Sequence, residues 1–397
     1  MVVEAFHVPT GSMAPALLGY HRVCVCPRCG HNVAIGRTHS DPEDQKAHCS
    51  NCGFYPLLVA TVPEVAGDQI LVDKTAFLRR APSRWEIVVF RLLEVLYIKR
   101  LLGLPGEEIS IFAGDLYVNG RLGRKTLAEA RAMRVLVFDQ KNAPSDGWRD
   151  RWSPEKGSGV VIMDGKNTTP DPFSGWTYRH FSLDARKCEP IRDEYAYNGG
   201  LRAECECVHD FMIETEIETK PGRGTLALRL CDGGDWVEVV LPVGEARPAE
   251  LFAWPMENAE RTRKLADTDE HVCLKSRRRQ RMELAFVDRR VSLAIDGTLV
   301  LQHDLPPAKE RRGVERPFHV QADCAEVCLR QFRLYRDVHY GQQGRNAVNG
   351  KSVRLGADQY FMVGDNTSNS DDSRFWADDG RVAGTGFVGP VCRSSRN

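Results

Sequence analysis

A chain of 397 residues exceeds what one hydrophobic core ordinarily supports, so two or three domains are expected. Its 42% hydrophobic and 27% charged content is that of a soluble globular protein. Basic and acidic residues number 54 each, which sets nucleic acid aside as a partner. Five of the thirteen cysteines fall between Cys24 and Cys52, favouring a local site over a chain-wide disulfide framework. No run of about 18 apolar residues occurs, and no charged-then-apolar leader opens the chain.

In chain order, residues 6–23 read as a short strand entering a turn at Thr10-Gly11-Ser12-Met13-Ala14-Pro15, where glycine permits close approach and proline stiffens the far side. Cys26-Pro27-Arg28-Cys29-Gly30 and Cys49-Ser50-Asn51-Cys52-Gly53 follow, two Cys-x-x-Cys-Gly knuckles separated by 19 residues. This spacing is that of a structural zinc ribbon, in which four sulfurs close a tetrahedron and fold a segment too small for its own core. Disulfides or free thiols are the alternatives. Cys24 lies one residue outside the first knuckle and reads as a spectator, and His31, His39 and His48 as surface groups able to replace a thiolate. Beyond the ribbon, short strands are expected at residues 69–74, 85–91 and 97–102. Glu108 to Phe112 with Asp115 to Val118 forms a hairpin-like pair closed at Asn119-Gly120.

Helix formers at helical spacing predict a short helix from Arg124 to Arg134. From Phe211 to Thr219, apolar and polar residues alternate at period two. Seven further strand-like runs follow up to Tyr335, so about eight antiparallel strands forming a sandwich are expected. Val291 to Val300, around Asp296-Gly297, is similar to the strand-turn-strand of concanavalin-like and laminin-G-like jelly rolls, a resemblance that leaves the ligand of this region unknown. Trp236 and Trp254 are suited to stacking on a sugar, with core packing the favoured reading. Asp232-Gly233-Gly234-Asp235 reads as a turn before it reads as a calcium site.

Last come Gln359 to Val363, the polar loop Gly364-Asp365-Asn366-Thr367-Ser368-Asn369-Ser370-Asp371-Asp372-Ser373-Arg374, and Val382 to Val391 as a closing strand. Gly-Ser-Met-x-Pro at 11–15, Lys99-Arg100-Leu101-Leu102-Gly103-Leu104-Pro105-Gly106, and Gly364-Asp365-Asn366 through Ser370, Asp372 and Arg374 together resemble type I signal peptidase, over residues 6–23, 62–122 and 347–391. The resemblance implies a membrane-anchored Ser-Lys endopeptidase that removes signal peptides from exported preproteins after small residues, with no catalytic cofactor. By it, Ser12 is the nucleophile and Lys99 its base. Thr10 assists the oxyanion, Ser370 orients the lysine, and Asp372 with Arg374 forms a supporting ion pair. Asp365 and Asn366 shape the turn, while Asp371 and Asp379 match nothing required. Tyr97, Ile98, Leu101 and Leu102 offer the apolar wall that lowers a lysine pKa. Exposed apolar surface near Phe6, Met13 and Leu17 is expected to meet the lipid.

The fold class expected is therefore all-β. A catalytic domain in three parts (1–23, 57–122 and 346–397) is interrupted by a zinc ribbon at 24–56 and a β-sandwich at 123–345. The resemblance implies membrane association with an extracytoplasmic catalytic domain. The anchor helix of the family is absent, and residues 1–6 read as its frayed end, with the true start upstream. Two rivals stand beside this reading. One is a self-cleaving Ser-Lys protease of the repressor type, whose helix-turn-helix the sequence lacks. The other is a cell-surface binding protein with a degenerate catalytic domain.

Overall fold

The structure, a computed structural model of the chain, describes residues 2–37, 45–92, 94–144, 151–163, 173–182, 187–199, 205–308, 310–377 and 381–394. His39 and Asp379 lie outside the described residues. The architecture is all-β, as the period-two patterning implies.

One seven-stranded antiparallel sheet runs in the order Val3–His7, Gln69–Asp73, Phe387–Ser394, Ile87–Leu92, Val95–Gly103, Gln359–Val363 and Arg381–Ala383. Val88, Phe90, Leu101, Met362 and Val382 bury one apolar cluster there. The segment expected as one closing strand is two. A 3-10 turn at Gly384–Gly386 lets the chain leave the sheet edge and re-enter its interior between Gln69–Asp73 and Ile87–Leu92.

A smaller sheet orders Arg121–Leu122, Asp115–Val118, Glu108–Phe112 and Val353–Arg354. The hairpin of Glu108–Phe112 and Asp115–Val118 turns at Ala113 and Gly114, with φ of 49° and 88°. Asn119-Gly120, at 51° and 73°, closes the next hairpin instead. The Asn-Gly pair is the stronger turn signal, and it displaced the reading by one strand. Because Glu108–Phe112 also pairs with Val353–Arg354, the chain leaves these sheets near residue 123 and returns to them near 350.

Between those points two sheets face each other. The first orders Val135–Asp139, Glu326–Arg336, Phe211–Thr219, Gln280–Val287, Arg290–Ile295 and Thr298–Asp304. The second orders Trp152–Glu155, Gly175–Tyr178, Phe318–Asp323, Gly224–Cys231, Asp235–Val243, Glu250–Pro255 and Arg263–Asp267. Ile213, Leu284 and Leu293 meet Leu228, Val239 and Val320 in one core, all fully buried, each worth roughly 1.5–3 kcal/mol of transfer from water. The pairing is not wholly antiparallel: Val160–Met163 lies parallel to Glu326–Arg336. The expected helix forms over Leu127–Met133, started by a capping box in which Thr126 and Glu129 satisfy each other's backbone N–H groups. It buries Leu127 and Ala130 against Met212, Ala285 and Tyr335 on the outer side of the first sheet.

The cysteine-rich segment hangs from a three-stranded sheet of His21–Val25, Asn32–Gly36 and Glu64–Val65, beside a two-stranded piece of Lys46–Ala47 and Leu57–Leu58. No helix among the described residues is long and apolar enough to cross a membrane.

Candidate active site

The turn that follows Val3–His7 carries Ser12, which is 8% exposed. Strand Val95–Gly103 carries Lys99, 4% exposed, with Nζ donating to Ser12 Oγ at 2.7 Å. Alternation puts Tyr97 and Leu101 on the same side of the strand as Lys99, within the cluster of Val88, Phe90 and Met362; Ile98 and Leu102 point the other way. Burial lowers the Lys99 pKa to about 8, against opposing fields from Asp372 and Asp371. An amine so placed is neutral in roughly a tenth of molecules at pH 7 and in about half at pH 8.

The loop after Gln359–Val363 supplies the rest. Arg374 Nε and Nη2 each donate to the Asp372 carboxylate at 2.9 Å, with both side chains fully buried. Asp372 Oδ2 also accepts from Gly364 N at 3.1 Å, and Arg374 Nη2 donates to Thr367 O at 2.8 Å, so the pair holds the loop closed on itself. Ser370 sits at the crossing of this loop with the serine turn: a Cβ on Gly364 would lie 2.3 Å from Ser370 Oγ and 2.4 Å from Ser12 O. Ser370 Oγ is buried and makes no hydrogen bond, so in this conformation it does not orient Lys99. Thr10 is exposed, two residues before Ser12. Asp371 is exposed too.

Asp365 and Asn366 do more than shape a turn. Asp365, fully buried, receives Arg100 Nε at 2.7 Å and Nη2 at 2.5 Å, and Arg100 Nη1 donates to Trp85 O at 2.6 Å. Asn366 N donates to Ser12 O at 3.1 Å and its Nδ2 to Gly11 O at 2.9 Å. Asn366 thereby fixes the serine turn directly. Its side-chain amide also pairs reciprocally with Asn198, at 2.7 and 2.8 Å. Tyr195 OH donates to Asp365 O at 3.1 Å. Tyr197 lies against Gly11 and Gly36, where an added Cβ would come within 2.2 Å of its ring in either case. These three residues come from the long segment between the two halves of the catalytic sheet. Only the Gly-Asp-Asn triplet signalled any of this in the sequence.

The side chains expected to meet lipid are turned inward. Met13 and Leu17 are buried with Val8, Ile70 and Val72, and Phe6 packs half-buried against them. A hydrogen-bonded turn and a strand pairing draw these side chains inward. Exposed apolar residues on and beside this sheet include Val2, Val3, Leu78, Val95 and Leu96.

The four knuckle cysteines converge. Cys26, Cys29, Cys49 and Cys52 place all four sulfurs within 4.8 Å of one another, with Cys26–Cys52 at 3.5 Å and Cys29–Cys49 at 3.6 Å. Zn–S bonds of about 2.3 Å in a tetrahedron require sulfurs about 3.8 Å apart, so the donor set fits zinc. The knuckles are near copies: Gly30 N donates to Cys26 O and Gly53 N to Cys49 O, at 2.9 and 2.8 Å, with φ of 71° at both glycines. Hydrogen bonds from Cys49 and Cys52 lower the Cys29 thiol to about 2, while contact with Cys29 drives Cys52 up to about 12. Sulfurs this close do not all ionise without a cation. Cys24 stands apart, facing Leu58 O, and His48 contacts Glu194. All thirteen cysteines are free of disulfides. A second cluster, Asp115, Asp210 and Asp288, is occupied by cations of the chain itself: Lys125 Nζ is 3.0 Å from Asp288, and Arg311 Nη2 is 2.5 Å from Asp115. Asp232 and Asp235 likewise receive Arg289, at 2.6 and 2.5 Å, in place of calcium.

Comparison with known proteins bears on the same residues. The family described as "Signal peptidase, peptidase S26" matches residues 60–168 and 290–393, a range that holds Lys99 and the 364–374 loop and leaves Ser12 and the four knuckle cysteines outside. A probable signal peptidase I-2 of Synechocystis is 38% identical over 63 residues, covering 14% of this chain and 29% of that protein. Signal peptidase I of Rickettsia conorii is 30% identical over 129 residues, covering 32% and 38%. That of Leptolyngbya laminosa is 28% identical over 124 residues, covering 28% and 53%. The chain thus spans between 29% and 53% of the length of these curated relatives. Among solved structures, a carbohydrate binding module CBM66 from Bacillus subtilis aligns at 15% identity and a TM-score of 0.24, covering 32% of this chain and 74% of the module. Sheep galectin-11 aligns at 9% and 0.23, covering 32% and 89%. Both scores are too low to carry an argument. The family match spans more than half of the residues, and the chain belongs to the signal peptidase family, peptidase S26.

Proposed function

We propose that the protein is a serine endopeptidase that removes signal peptides from exported preproteins, with Ser12 as nucleophile and Lys99 as general base. The observation that carries this is the 2.7 Å contact between a buried amine and a buried hydroxyl, given a lysine pKa lowered to about 8. Neutral Lys99 takes the Ser12 proton as Oγ attacks the scissile carbonyl, then returns it to the departing amine. Water, deprotonated by the same amine, hydrolyses the acyl-enzyme. The Ser12 backbone N–H and the Thr10 hydroxyl stabilise the oxyanion. Asp372–Arg374 and Asn366 hold the loop and the serine turn in register; they are positioning residues. Ser370 Oγ lies buried beside this crossing, and its role in orienting Lys99 is proposed from the family. Cleavage after small side chains is proposed from the family.

Cys26, Cys29, Cys49 and Cys52 would hold a structural zinc ion; with four sulfurs bound, no position remains for a reacting water. Membrane association, with the catalytic part on the extracytoplasmic side, is proposed from the family. Exposed Val2, Val3 and Leu78 at the end of the sheet support it.

Cleavage of a detergent-solubilised preprotein tests the dyad. Ser12→Ala and Lys99→Ala are each expected to lower kcat at least about a thousandfold with the fold retained. Wild-type kcat is expected to rise about tenfold per pH unit below pH ~8 and level off above it, since only the neutral amine is competent. Wild-type rates in either variant refute the assignment.

A further inference from the structure

The outer face of the second sandwich sheet carries polar side chains that strand register sets in one line. Thr177 pairs with His319, His319 with Arg229, and Arg229 with Glu238. Phe252 continues the line, and Trp254 stands two residues further along the same strand, on the same face. The alternate residues Leu228, Leu230, Val237, Val239 and Val320 fill the sandwich core, so the line points out of it. Trp236 packs against that core as expected, whereas Trp254 does not belong to it and stacks instead with the Arg229 guanidinium, 5.8 Å from the ring centre.

Hydrogen bonding orients each group. Thr177 Oγ1 donates to Glu155 Oε1 at 2.5 Å, which leaves its lone pairs to accept from His319 Nδ1 at 2.9 Å. The ring proton then resides on Nδ1, and Nε2 is a bare acceptor. His319 is 5% exposed; burial, then the Arg229 charge, lowers its pKa and keeps the ring neutral. Arg229 and Gln321 flank the ring; the Gln321 side chain acts on it as a weak hydrogen-bond partner, and Nε2 has no well-aligned bond. Gln321 is partly buried and would have to swing aside for a ligand to reach Nε2, whereas Arg229 stays with Glu238. Arg229 Nε donates to Glu238 Oε2, so the guanidinium and the carboxylate stand side by side on this face. The Arg229 and Glu238 charges cancel, and Lys264, which lies opposite Phe252 and extends the line, is held by Glu250 and Asp267 at 2.7 Å each, so no surplus positive charge is offered to an anion.

We propose that this face binds a neutral saccharide through vicinal hydroxyl groups. One hydroxyl donates to His319 Nε2, its neighbour accepts from Arg229 and donates to Glu238, and the apolar face of the sugar ring lies on Trp254. Alternating acceptor, donor and acceptor beside an aromatic plane is complementary to adjacent ring hydroxyls, each of which both gives and takes a hydrogen bond. The assignment does not depend on the peptidase reading.

Calorimetric titration of the intact chain with lactose, cellobiose and maltose tests it. Retention on immobilised soluble starch or galactan, compared with a desialylated glycoprotein, distinguishes a polysaccharide source from a protein-linked one. At least one probe is expected to bind saturably. Arg229→Ala, His319→Ala and Trp254→Ala are each expected to weaken it tenfold or more, with melting temperature and preprotein cleavage unchanged. Saturable binding by none of the probes, or equal binding by wild type and the folded Arg229→Ala and Trp254→Ala variants, overturns the proposal. Loss of cleavage in the Ser12→Ala variant with sugar binding intact shows that the two sites fail separately.

Discussion

The cysteine cluster and the Ser12–Lys99 contact are both made of side chains brought together from separate parts of the chain, but by opposite means. In the cluster, each half is a three-residue turn whose geometry is set by its own glycine and its own backbone hydrogen bond. The serine and the lysine are 87 residues apart, and nothing local aims one at the other. Their contact depends on sheet register and on a loop tied down by two buried ion pairs, Asp372–Arg374 and Arg100–Asp365. A local site should fail locally and a distributed site should fail with the fold.

Metal removal probes the first half of that contrast with the largest effect. Cys52→Ser, or a strong chelator, is expected to bring zinc from about one ion per chain to near none and to expose residues 24–56 to limited proteolysis. Metal analysis and mapping of the cleavage sites check this; a metal-free protein with an intact, protease-resistant segment breaks it. Next is Arg374→Met, which leaves the Asp372 carboxylate buried and unpaired. It should cost about 3–5 kcal/mol of global stability by denaturant titration, because a lone buried charge is expensive. A loss confined to activity would mean that the pair aims the site without supporting the fold.

Lys99→Met sharpens the contrast in the other direction. Wild-type Lys99 binds a proton less readily folded, at about 8, than unfolded, at about 10.5. Below pH 8 both states are protonated and the folded state carries the full penalty, about 3 kcal/mol. Between pH 8 and 10.5 the unfolded chain binds more protons, so wild-type stability rises with pH and the penalty disappears. The Lys99→Met variant should therefore be the more stable protein at pH 7, by up to that amount, and gain nothing near pH 11. Thermal melts across this range decide it. The smallest effect is expected at Asn366. Replacing it by Ala frees the serine turn and should lower kcat about 10- to 100-fold with KM nearly unchanged. Asn198→Ala, one bond further out, should lower kcat only a few-fold.

The same contrast explains what was legible in the sequence. Knuckle spacing and the alternation of Phe211–Thr219 are short-range patterns, and both elements appear where expected. The Gly-Asp-Asn loop was legible as a motif, but not the partners of its members: no local rule tells Arg100 that its carboxylate lies at Asp365, or Asn366 that its amide meets Asn198. Glu250–Pro255 escaped notice because its outward positions carry Phe252 and Trp254, which mask the alternation, and Arg263–Asp267 because it is an edge strand that buries little. The parallel pairing of Val160–Met163 is likewise a fact of topology.

Tyr197 sits between Gly11 and Gly36, so one ring from the inserted stretch is wedged between the serine turn and the cysteine-rich hairpin. Splicing residue 122 directly to 346 would remove that wedge together with the Asn198 amide pair, and would leave a hole behind the nucleophile. A shortened version of this protein must therefore keep the 195–198 tripod or rebuild its volume; the inserted portion is a keystone of the Ser12–Lys99 half and not cargo appended to it.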